Sequence, residues 1–492
     1  MLGCSAEASA PGPSAPGDSN TTGEEQPGNT TPECTDTDAT ACTGDAVCKA
    51  GACVDPTDAQ RAQADELAAM VTYLKDNTAW HSPMDWDKLA ADGKKAIFRG
   101  DGSSDAYFAA LFDAFVAVPQ GHQGLYLASG CGTKVPMLAY AQRGACGRPH
   151  KDGVIVTVAR EGNPLGLSAG DVITRIGDTS GRAVLGDLAK RPSCVTSRPG
   201  KSFEETSSAA TFADLLRGGE TIEVTSPNGT KRTVTVPAGA LPGKSLKDAL
   251  RCSDPLGRDT SVPVESFVRP DGIGVIRLPG FTDPEQTFPT SGTNEAYEAY
   301  KSKFEAKIKT AFDKVKDARA IIWDVRGNGG GLTMVGLGIA SGFPGATAGE
   351  ISYCQARVSE SSPPKFDSLH YAEYALEPGG QFAYSGKVAV LTDGMNYSAA
   401  DYFPLSIKSK TSAILVGGTS AGAFGATSET KQFKGPPSFT VSVDLNRCSL
   451  SSDDTPLEGR GVEPHVLVDY DAKDLAAGKD TVLERAVLEI DK

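Results

Sequence analysis

Four uncharged residues in a row, Val388, Ala389, Val390 and Leu391, read as a short strand buried on both faces. Such a strand needs a packed layer on each side, which points to a layered α/β architecture. Asp393-Gly394 and Asn396 break the run. After Ser398, Ala399, Ala400 and Asp401 open a segment with Tyr402, Phe403, Leu405 and Ile407 at helical spacing. Strand, tight turn, serine and helix together lift a hydroxyl out of the backbone at a helix N-terminus. There the free N–H groups and the helix dipole can stabilise an oxyanion. Serine is also a leading N-cap residue, and this segment alone leaves both roles open.

The flanking sequence extends the α/β pattern. Strands are predicted at Ile273 to Leu278 and at Ala320 to Val325, with a long helix from Asn294 to Val315 between them. Strands alternating with helices predict a partly parallel sheet, here a layered α/β core over 265–492. Upstream, 58–150 reads as a helical segment. Ala62, Leu67, Met70, Val71 and Leu74 recur at i, i+3, i+4, and Phe108, Leu111 and Phe115 mark a buried face on a later helix. That helix runs into Gln120-Gly121-His122, which carries one of only five histidines.

Residues 151–240 read as a separate, mostly β unit. Val154 to Val158 is a strand, and Thr221 to Val236 alternates around a Pro227-Asn228-Gly229 turn, a hairpin signature. Between them Leu165-Gly166-Leu167-Ser168-Ala169-Gly170-Asp171 resembles the PDZ domains of bacterial proteases. The resemblance implies capture of an extended peptide at a sheet edge, with Leu165, Gly166 and Leu167 as the substrate-binding loop. A PDZ fold serving only as spacer or lid is the alternative.

With 492 residues the chain is too long for one core. Its net charge of -14 argues against nucleic acid and anionic membrane as partners. Of eleven cysteines, Cys34, Cys42, Cys48 and Cys53 crowd into 34–55, a segment too small to hold a shape without internal disulfides. Met1-Leu2-Gly3-Cys4-Ser5 resembles the end of a bacterial lipoprotein signal, which implies a lipid on Cys4. Ten cysteines then remain, an even number that suits disulfides in an oxidising compartment and hence export to the cell envelope. The stretch up to residue 33 is rich in Pro, Gly, Ser, Thr and Glu and reads as a flexible tether. Among Cys131, Cys146, Cys194, Cys252, Cys354 and Cys448, nearness in sequence favours a Cys131–Cys146 pair, though connectivity does not follow from spacing.

The glycine cluster Gly327 to Gly331 follows a buried strand. An N–H from Gly330 or Gly331, with that of Ala399, would supply the two donors that acyl transfer requires. A nucleotide site is excluded because no Gly-Lys-Ser/Thr follows and G-x-G-x-x-G spacing is absent. Neither metal nor other cofactor is expected.

Four ordered motifs carry a family resemblance. Asp324-Val325-Arg326-Gly327-Asn328-Gly329-Gly330 resembles the Asp-Leu-Arg-x-Asn-x-Gly-Gly motif of the C-terminal processing peptidases, or tail-specific serine proteases. Ser398-Ala399-Ala400-Asp401 resembles their Ser-Ala-Ser-Glu, whose first serine is the nucleophile. Leu415 to Gly422 resembles the strand and turn that follow, and Gly459 to Pro464 the late Gly-Val-x-Pro motif. The inserted β unit sits where the family places a PDZ domain.

One position departs. Where the family's serine-lysine branch carries its base, this chain has Ala423; Lys431 lies nearby but would need a shifted loop. The tricorn-like branch instead takes a histidine from before the PDZ region, which implies His122 as base and Glu458 as the group that orients it. The expected activity is hydrolysis of protein or peptide substrates by Ser398, His122 and Glu458. The alternative is the same fold with a lost catalytic pair, holding peptides or apolar ligands. Oligomeric state is left open.

Overall fold

The computed structural model describes residues 34–35, 42–80, 82–127, 144–191, 199–238, 252–289, 294–358, 365–367, 371–425, 428–435, 437–450 and 455–492. Cys4, the tether, Cys131, Cys194, His81 and His370 lie outside these residues. The chain divides into two units, Met1–Pro56 and Thr57–Lys492. In the first, disulfides Cys34–Cys48 and Cys42–Cys53 clamp an antiparallel pair of strands, Val47–Lys49 and Ala52–Val54.

The second unit begins with helices Asp58–Asn77, Trp86–Arg99 and Ser104–Val116. The first starts at a capping box between Thr57 and Gln60, the third at a Ser103 cap. Phe108, Leu111 and Phe115 are buried, as their spacing predicts.

The central sheet has six strands in the order Glu265–Val268, Ile273–Arg277, Ala320–Asp324, Lys387–Thr392, Ile414–Gly417, Val466–Leu467. The first pair is antiparallel and the other four pairings are parallel. Alternate side chains enter opposite cores. Ile321, Trp323, Val388, Val390 and Leu415 pack under helices Asn294–Asp313, Thr333–Ala340 and Ala399–Lys410. Ala320, Ile322, Ala389, Leu391 and Val416 pack against helix Thr481–Ile490 on the other side. The fold is thus layered α/β, and the strand read as buried on both faces is so because each face has its own core.

The small β unit is a sheet in the order Ala145–His150, Gly153–Ala159, Val172–Ile176, Thr221–Thr225, Lys231–Thr235. It begins at Ala145 rather than 151, because a tight turn pairs Ala145–His150 with the next strand. The same pairing overturns the Cys131–Cys146 guess. Cys146, at the sheet edge, is bonded to Cys252, 106 residues away. Cys354–Cys448 joins two other strands at directly opposed positions.

One further sheet decides the location of His122. Gly124–Leu127, just after the helical segment, pairs antiparallel with Phe439–Asp444, which also pairs with Ser428–Phe433. The front of the chain is thereby stitched to its last quarter.

Candidate active site

Ser398 follows the Lys387–Thr392 strand through a turn closed by its own side chains. Asn396 Oδ1 accepts the Asp393 N–H at 2.7 Å, and Asp393 Oδ1 accepts that of Met395 at 3.1 Å. Ser398 has φ 60° and ψ -122°, a left-handed conformation that costs a non-glycine residue about 1–3 kcal/mol. It occupies the N-cap position of the helix, yet its side chain makes no capping hydrogen bond. Asp401, fully buried three residues on, accepts the Ser398 backbone N–H and those of Gly422 (2.8 Å) and Ala423 (2.9 Å), fixing the backbone of the turn. Burial pushes the Asp401 carboxyl up to about 7. The hydroxyl is therefore held at a helix N-terminus without being used there.

The glycine loop is fixed against this turn. Asp324 and Arg326 form a buried two-pronged ion pair (2.8 and 2.7 Å), with Asp480 and Arg258 completing the network. Asn328, wholly buried, accepts the Gly330 N–H at 2.8 Å and donates to the Leu278 carbonyl at 3.0 Å. Its own carbonyl accepts the Tyr397 N–H at 3.1 Å. Gly330, at φ 97°, has no room for a side chain: a Cβ would lie 2.8 Å from that of Ser398 and 3.0 Å from the Ala399 nitrogen. Of the three amides expected to face an oxyanion, that of Gly330 is taken by Asn328. Those of Gly331 and Ala399 make no hydrogen bond among the described residues.

His122 reaches this region by strand register. Gly124 stands opposite Ser442, and the same register carries His122 opposite Asp444, whose Oδ2 accepts the His122 backbone N–H at 2.9 Å. The His122 ring lies 5.1 Å from that of Tyr397, the residue before Ser398, and the Tyr397 hydroxyl donates to the Gly121 carbonyl at 2.6 Å. Burial lowers the imidazole pKa to about 4, so the ring is neutral at pH 7. Among the described residues neither Ser398 Oγ nor the ring nitrogens make a hydrogen bond. Proton transfer requires them to close to about 2.6–3.2 Å.

Glu458 sits below the same turn with both oxygens spent on the backbone. Oε1 accepts from Gly121 at 2.5 Å, and Oε2 from Phe424 at 2.8 Å and Gly425 at 3.1 Å. It thus grips the residue before His122 and not the ring. Ala423 is fully buried against Gly121. Lys431 extends over the rings of Tyr73 and Phe433, 5.2 Å from each centroid.

In the β unit, Leu165 and Leu167 are buried core residues. The Gly166 N–H goes to the Asn163 carbonyl and the Leu167 N–H to Asn163 Oδ1, each at 3.0 Å. These two amides are engaged within the loop and not directed at a ligand. The unit does border the site. Phe203, on helix Lys201–Ala210, has its ring 5.4 Å from that of Tyr397, and Ser202 Oγ donates to the Thr419 carbonyl at 2.5 Å.

Asp401, Asp444 and Tyr397 were not singled out from sequence. For Asp401 a signal existed: an acid three residues after an N-cap serine is the spacing of a capping box. Asp444 is visible only once the strands are paired.

Residues 272–468 match the family model described as Peptidase family S41. The fold is similar to that of mature CPAF, with a TM-score of 0.62 at 16% identity, covering 88% of this chain and 97% of that one. Mature CPAF complexed with lactacystin matches at the same TM-score, 15% identity, and 88% and 98% coverage. A curated protein of Chlamydia trachomatis serovar D is 28% identical over 106 residues, 20% of this chain; the match spans 16% of that relative's length.

Proposed function

We propose, from the match of residues 272–468 to the model of peptidase family S41, that the protein is an exported serine endopeptidase of the C-terminal processing type. Ser398 Oγ attacks the scissile carbonyl while His122 Nε2 takes its proton. The Ala399 and Gly331 amides receive the oxyanion, and His122 returns the proton to the leaving amine. Water, deprotonated by His122, then releases the acyl group from Ser398. Glu458 acts on the base through the Gly121 amide, setting the turn that aims the ring. The small β unit delivers the substrate's C-terminal end; the contacts of Phe203 and Ser202 beside the nucleophile turn support that role. Four disulfides among the described residues favour an oxidising compartment, with Cys4 as the lipid-bearing residue of an envelope protein.

The observation that carries the proposal is the Ser398 turn: a strained serine whose hydroxyl is withheld from capping, over a glycine loop and beside the His122 turn. A serine-reactive fluorophosphonate tests it. The wild-type protein takes up label and Ser398→Ala does not. Equal, negligible labelling of both would leave a peptide-holding protein on the same fold.

A further inference from the structure

Among the described residues three buried polar atoms at the His122 turn have no hydrogen-bond partner: Nδ1 of His122, Oε1 of Gln123 and Oδ1 of Asp444. Gln123 is tied to the Val118 carbonyl through its Nε2, whereas His122 and Asp444 are already joined, since Asp444 Oδ2 accepts the His122 backbone N–H. A buried polar atom left unpaired costs about 1–3 kcal/mol, so a donor and an acceptor on two residues already joined favour a rotation that pairs them. Glu458, the acid expected from sequence to orient the base, has no oxygen to spare, with three backbone amides on its carboxylate.

We propose that Asp444 is the positioning residue that holds the His122 imidazole, its Oδ1 accepting the proton on Nδ1 and leaving Nε2 unprotonated toward Ser398. This inference rests on the reading of Ser398 and His122 as nucleophile and base. Three local features suit Asp444 to the task. The Ser442–Gly124 register, continued two residues, brings it to His122, whose backbone N–H it accepts. Gly425 makes room for it, since a Cβ there would lie 2.6 Å from Asp444 Oδ2. It is the readier of two neighbouring acids to ionise: burial raises Asp444 to about 7, while burial and the Asp444 charge raise Glu458 well above the ordinary carboxylate range. When Ser398 Oγ gives its proton to Nε2, the resulting imidazolium faces an anionic Asp444, and no further proton moves.

Asp444→Asn tests this. An amide still accepts the His122 N–H through its oxygen but presents N–H₂ to Nδ1, which favours the opposite tautomer. The expected result is a fluorophosphonate labelling rate reduced by about 10²–10⁴ with the melting temperature little changed, as when a triad aspartate is neutralised. On a peptide substrate the loss falls in kcat with KM retained. Nitrogen-15 NMR of His122 in the Ser398→Ala protein provides a measurement that needs no Asp444 variant. The proton on Nδ1 supports the proposal, and the proton on Nε2 overturns it. Wild-type labelling of Asp444→Asn, with Glu458→Gln unreactive, also overturns it. If Ser398→Ala labels as well as wild type, the underlying catalytic reading fails, and this inference with it.

Discussion

Gly121 lies so close to Ala423 that a Cβ on the glycine would fall 2.6 Å from that of the alanine. The backbone of the histidine turn therefore fills the space beside the position where related peptidases carry a lysine. A longer side chain at 423 would have to displace that turn.

Ala423→Lys should then be harmful and not a rescue. The site is fully buried, and overpacking of this kind costs about 1–3 kcal/mol or more. Thermal melting should show the loss, and Ala423→Lys should restore no fluorophosphonate labelling to His122→Ala. Restored labelling would remove His122 from its assigned role.

Ser398→Gly should melt above Ser398→Ala. Glycine adopts φ 60° without the strain of about 1–3 kcal/mol that any side chain pays there, against a loss of about 0.5–1 kcal/mol for its extra unfolded-state freedom. A net gain of about 1 kcal/mol is expected, with both variants inactive. A lower melting temperature for Ser398→Gly would mean that the turn is not strained.

The acid limb of kcat/KM should lie near pH 4 and not near 6.5, because burial holds the His122 imidazole neutral down to about 4. Stability follows with a definite sign. Between about pH 6.5 and 4 the unfolded chain's histidine binds a proton that the native one refuses. The His122 contribution is thus full above pH 6.5 and is lost as the pH falls toward 4. Denaturant titrations of wild type and His122→Gln across that window check it: the difference between them should narrow or reverse in favour of the variant as pH falls.

Replacing both Cys146 and Cys252 by Ser should cost about 2–5 kcal/mol, since the bond closes a 106-residue loop. Arg148, two residues from Cys146, donates to the carbonyls of Cys252 (3.0 Å) and Ser253 (2.7 Å) and lies 3.5 Å from Asp393 in the nucleophile turn. The loss should therefore appear both in the urea midpoint and as slower labelling of Ser398. An unchanged labelling rate would separate the β unit from the site.

Much of this site could be read before folding. The buried strand, the Asp393–Asn396 break and the helix after Ser398 are short-range signals, and so are the Asp324–Arg326 pair and the glycine run. They lie within a few residues of one another, where backbone sterics and apolar spacing act directly. The hydroxyl's release from capping was not legible, because Ser398 at an N-cap has the same sequence whether it caps or not; the backbone conformation of the folded turn decided that. The Gly330, Gly166 and Leu167 amides looked available in sequence and are engaged, since a backbone donor's partner depends on which side chain the folded loop brings to it.

Sequence by itself determined the α/β alternation, the separate β unit, the stapled N-terminal segment and the residues able to do acyl-transfer chemistry. Only tertiary structure decided which acid faces which amide, which cysteine Cys146 meets, and that a histidine from the front of the chain stands opposite Asp444. The reason is that such pairings are set by sheet register and core closure between segments hundreds of residues apart, which are properties of the whole packed chain and leave no mark in local residue order.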